Sequence, residues 1–280
     1  MLRALGLALA LVVLTGCAST RGVAEFAAYR AAYAEAQSTG EAILDRLAVA
    51  ERALHARANP FDPAFGAFAP DEAPYLVEAV DPPSTAAFRR AIRAVGAYTD
   101  ALAALSNGET AEAMAGRLGR LGALGIEAAG AVGATPPAAA VNAAVGALAP
   151  FAEGGLALAA RAQFRDRLLE NADAMAAILS QTRDATAPIF AALAQKLRDD
   201  VFADPSGREF SPAEIDELRS LRRLMAHWVV LLDASRAALA SAAAAAGSTD
   251  AVGVAGVLAA SETLAVTARG ARRALAGGAP

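Results

Sequence analysis

Apolar residues recur along this chain at alternating steps of three and four, a spacing that lines up one face of an α-helix and falls nearer a period of about 3.5 than of 2. Phe26, Tyr29, Tyr33, Ala36, Gly40, Ile43, Leu47, Ala50 and Leu54 keep that rhythm without a slip. Phe88, Ala91, Val95, Tyr98, Leu102 and Leu105 repeat it, as do Leu218, Leu221, Met225, Trp228, Leu232, Ser235, Leu239 and Ala242. Seams of this kind predict helices packed at small crossing angles, so the expected class is all-α: an antiparallel long-helix bundle with coiled-coil-like seams. No stretch shows the alternation of a strand.

Boundary chemistry places the elements. Ser211-Pro212-Ala213-Glu214 sets serine at an N-cap, proline at the first helical position and glutamate at N3, a capping box. Ser106-Asn107-Gly108 closes one helix and Glu109-Thr110 opens the next, a spacing that predicts a helical hairpin. The predicted helices cover 21–57, 84–106, 109–133, 137–203 with breaks, 212–246 and 250–276. Pro150 with Gly154-Gly155 is expected to interrupt the fourth, and Pro188 to kink it. Thr182 and Thr186, on a seam next to that proline, are expected to bond back to carbonyls of the preceding turn.

Two segments break the pattern. Residues 59–83 hold six of the 13 prolines and read as one long non-helical loop. Its aromatics Phe61, Phe65, Phe68 and Tyr75 make it a candidate interaction loop, the competing expectation being that they fold back over the apolar end of the bundle. Residues 128–152 carry no charge and are split by Pro136-Pro137. This hairpin is expected to pack in the core through Val132, Val141, Val145 and Leu148, since each arm is too short to span a bilayer. The alternative is a carrier of lipid or hydrophobic cargo, or a membrane-active bundle, that uses this hairpin.

The N-terminus has a different build. Arg3 is followed by an apolar run from Ala4 to Leu14, then Leu14-Thr15-Gly16-Cys17, which contains the chain's one cysteine. This stretch resembles the lipobox of bacterial lipoproteins. The resemblance implies that 1–16 is a signal peptide, that Cys17 carries thioether-linked diacylglycerol, and that acylation of the new amino terminus completes a firm anchor. It also implies the outer membrane, periplasmic side, because Ala18 stands where an aspartate tends to retain such proteins at the inner membrane. Residues 17–22 then form a short tether, and 23–280 the bundle domain.

Composition narrows the function classes. Hydrophobic residues make up 56% of the chain, but more than half of them are alanine, which buries little surface. The formal net charge is −4, and one unit more negative without Arg3, a poor match to nucleic acid. The two histidines, His55 and His227, stand in no zinc-site spacing, and no nucleophile elbow, phosphate loop or dinucleotide fingerprint is present. Asp199, Asp200 and Asp204 read as a solvated helix end rather than a cation site. Arg219, Arg222 and Arg223 beside Asp216 and Glu217 read as a solvated, ion-paired face. No enzyme, cofactor or metal is therefore expected. The expected role is a non-catalytic structural or protein-interaction one, with the membrane and an envelope protein as partners.

Overall fold

The structure, a computed structural model, describes residues 23–58, 69–107, 111–129, 136–146, 161–203, 209–247 and 252–277. These residues are almost entirely helical, and none of them forms a strand. The fold is all-α. In chain order the helices are α1 (Val23–Ala58), α2 (Ala73–Leu76), α3 (Pro83–Asn107), α4 (Ala111–Ala129), α5 (Pro136–Gly146), α6 (Arg161–Ala203), α7 (Pro212–Gly247) and α8 (Val252–Gly277).

The seams read from the sequence become the core. Eight of the nine seam residues of α1 are buried, Ala50 being half-exposed, and all six of α3 are buried. Leu218 is the one half-exposed member of the α7 seam. Trp228 lies at the centre of this packing, its ring stacked near Phe88 with centroids 5.6 Å apart. Gly40 makes room for it, since a Cβ there would stand 3.2 Å from both the indole edge and Ile92. Phe26 and Phe164 meet edge to face at 5.1 Å, joining the start of α1 to the start of α6.

Polar contacts fix the register between helices. Arg30 reaches Asp100 at 2.9 Å, the Tyr33 hydroxyl donates to the Ile92 carbonyl at 3.0 Å, and Glu51 reaches Ser84 and Thr85. Position numbers thus rise along α1 as they fall along α3. The same crossing order holds between α6 and α7, where Arg183 pairs with Asp233 at 3.0 Å and Arg165 donates to the Gly247 carbonyl at 3.3 Å. Between α7 and α8 the approach is close enough that a Cβ on Gly253 would come within 3.2 Å of Ala245 Cα.

The capping box at the start of α7 has the expected reciprocal bonds. The Ser211 N–H donates to the Glu214 carboxylate at 2.8 Å, and the Glu214 N–H donates back to the Ser211 hydroxyl at 3.3 Å. Thr182 and Thr186 donate to the carbonyls of Ile178 and Thr182, as expected next to Pro188, and α6 continues through that proline.

The loop expected over 59–83 requires correction. A 3₁₀ turn covers Pro70–Glu72, α2 follows it directly, and Pro83 is the first residue of α3. The prolines do not prevent this, because each stands near the start of its turn, where the missing N–H leaves no bond unmade. Residues 59–68, and with them Phe61, Phe65 and Phe68, lie outside the described residues. So do the signal segment, Cys17 and the tether, as well as Pro150 and Gly154-Gly155.

Candidate functional site

A cavity of about 500 Å³ opens where α1, α6, α7 and α8 come together. Its apolar floor is an extension of the core: Leu54, Leu197 and Leu221 are buried, with Leu218, Leu224 and Leu275 half-buried around them. Ala50 and Ala274 complete the lining. The volume falls within the usual range for a small-molecule site.

The rim is polar and carries a surplus of positive charge. Arg46 and Arg223 are both exposed on it, and Arg223 donates to the Ser220 hydroxyl at 3.2 Å. Glu217 also lines the rim but is neutralised by Arg57 at 2.6 Å. The last turns of α8 add Arg269, Arg272 and Arg273 around a second, shallower hollow of about 420 Å³. Arg269 faces Glu35 at 3.8 Å, and Arg272 donates to the Thr39 hydroxyl at 3.1 Å. Ser220 and His227 share the rim but lie seven positions apart on one helix, about 10 Å along its axis, too far for a nucleophile and its base. The groups brought together here suit binding: a hydrocarbon floor below and guanidinium groups above.

A second polar constellation clamps the segment that leads into α3. Glu51, on α1, is buried, and its carboxylate accepts from the Ser84 N–H at 3.2 Å, the Thr85 N–H at 3.1 Å and the Thr85 hydroxyl at 2.9 Å. Pro82, next to the first residue of α3, has no side-chain acceptor, so a residue of another helix caps the buried N–H groups of Ser84 and Thr85. Burial pushes the Glu51 carboxyl above its ordinary value, while the Thr85 and Ser84 donors pull the other way. Arg89 joins Asp81 at 2.6 Å, Asp45 at 2.9 Å and also Glu41, which Arg93 contacts at 2.7 Å. Arg52 donates to the Val80 carbonyl at 2.6 Å. These groups are consumed by holding backbone and one another.

Of the residues singled out in the sequence, Tyr75 is described, and it does not project from a loop. Its ring stacks on His55 at 3.9 Å with planes 8° apart, on the last turns of α1. His227 is half-buried on the cavity rim. Asp199 is exposed and accepts from Gln195, and among the described residues no cluster of three metal-ligating side chains forms. Arg222 departs from the ion-paired face expected of it, lying 5.2 Å over the Phe190 ring. Val141 and Val145 are buried in the core; Val132 and Leu148 lie outside the described residues. Among the described residues α7 alone is long and apolar enough to cross a membrane, and its apolar stripe is the one that packs around Trp228.

The sequence reading missed the cavity, Glu51 and Arg46. Leu218 and Leu221 were visible as a seam, and Leu224 beside them widens the stripe past what one neighbouring helix covers, the available sign of a groove. Compared with known protein families, with curated proteins and with solved structures, this chain matches none.

Proposed function

We propose that this protein is a lipid-anchored, antiparallel long-helix bundle of the bacterial cell envelope whose role is non-catalytic, structural or interactive, and exerted by binding. The observation that carries the binding role is the cavity, where a leucine-lined hollow meets an arginine rim. The opposed register of α1 with α3 and of α6 with α7 supports the antiparallel bundle, and the three-and-four seams support its coiled-coil-like packing. The envelope location rests on Leu14-Thr15-Gly16-Cys17 and its apolar leader, and Ala18 favours the outer membrane. A cargo role for the charge-free hairpin gains no support from Val141 and Val145, which are packed inward.

Mass spectrometry of the mature N-terminus tests the anchor. The expected species begins at a diacylglycerol-modified, acylated Cys17, and Cys17→Ser is expected to abolish lipid labelling and processing. A mature protein with an unmodified Cys17 would remove the envelope-anchored reading. Membrane-proximal crosslinking of the anchored chain then identifies the neighbouring envelope protein.

A further inference from the structure

We infer that the cavity between α1, α6, α7 and α8 is a binding site for a single-chain amphiphile with a carboxylate head, a fatty acid. The inference rests on the binding reading above and deepens it by naming the ligand class.

Two independent properties of the cavity select this class. The half-buried Leu218, Leu224 and Leu275, backed by the buried Leu54, Leu197 and Leu221, line the cavity with hydrocarbon, so the part of the ligand that enters must be apolar. The opening carries Arg46 and Arg223, while the acid on the same rim, Glu217, is held by Arg57. These two exposed cations stand out on a chain whose formal net charge is −4, so they are a local arrangement and not a consequence of overall composition. A guanidinium fork suits a planar carboxylate. A neutral hydrocarbon would leave these cations unused, and a cationic amphiphile would meet them as like charges.

Photocrosslinking of the purified full chain in one non-ionic detergent tests this, with diazirine-bearing palmitate and a trimethylammonium probe of the same tail. Peptide mapping is expected to place palmitate adducts on the α7 segment from Leu218 to His227 and on the end of α8. Labelling there should exceed that of the ammonium probe by about fivefold, the scale of an exposed charge contact. Arg46→Glu with Arg223→Glu should erase or reverse the preference, and Ala274→Trp, which fills the opening, should reduce labelling by both probes. These positions are exposed, so the thermal midpoint should stay unchanged and serves as the folding control. Equal labelling by both probes, adducts spread over the whole surface, or labelling indifferent to Ala274→Trp would overturn the inference. Failure of the anchor is read separately, at the N-terminus: an unmodified Cys17 with cavity adducts retained sinks the envelope reading and leaves this one standing.

Discussion

Glu51 shows how much a single side chain can decide in a helical protein. The Ser84 and Thr85 N–H groups in the first turn of α3 must find acceptors, and Pro82-Pro83 offers no side-chain acceptor for them. The carboxylate that serves them arrives from α1, 33 and 34 positions away, and brings negative charge to the positive end of the helix. Glu51→Ala is expected to cost about 1 to 3 kcal/mol, because it leaves buried donors unsatisfied. Denaturant unfolding measures it, and no change in midpoint would mean that solvent reaches those groups. The direction of the pH dependence follows from burial, which raises the carboxyl above the value it has in the unfolded chain. Below the unfolded value both states hold the proton and the contribution is complete. As pH rises through the raised folded value, the folded state must give up a proton it holds more tightly, and stability falls. In Glu51→Gln that decline should disappear. None of this was legible in the sequence, where a lone glutamate on a helix looks like any solvated charge and its partners lie on another element.

Helices themselves were far more legible, and the contrast has a physical basis. A seam is repeated evidence, each apolar residue confirming the phase of the one before, and a cap is a local contract between residues three apart. Ser211 and Glu214 therefore declared the start of α7, and their bonds are in place. Ser211→Ala is expected to destabilise the protein by about 1 kcal/mol by removing the acceptor for the Glu214 N–H. A change below about 0.3 kcal/mol in denaturant unfolding would place the start of the helix elsewhere. Proline-rich sequence was harder to read. Pro70, Pro74 and Pro83 looked like one loop, yet each stands at the first or second position of a short or long helix, because proline punctuates helices at their beginnings as well as their ends. The cavity escaped for a different reason: it is made by residues on four helices, and no single periodicity records where four stripes fail to close.

Across the whole molecule the open question is which apolar surface is spent on the core and which is left for a ligand or membrane. Residues 128–152 have no charge, so composition alone leaves them equally suited to either. Packing separates the two. Val141 and Val145 on α5 have no exposed surface, and Arg90 of α3 donates to Asn142 on the same helix at 3.0 Å, so a polar tie and an apolar contact hold α5 against its neighbours. The cavity at the junction of α1, α6, α7 and α8 is the opposite case, since Leu218, Leu224 and Leu275 on its lining are only half-buried. Val145→Arg distinguishes these roles, because an arginine there has no partner within the core. The expected loss is about 3 kcal/mol or more, which for a chain of this size lowers Tm by roughly 6 to 12 °C. Thermal unfolding of the anchored protein checks it, with palmitate photolabelling of the cavity followed in the same preparation. A folded variant with an unchanged midpoint and a loss of membrane contact at α5 would return the charge-free hairpin to the lipid surface, and the cavity would no longer be the favoured apolar site on the molecule.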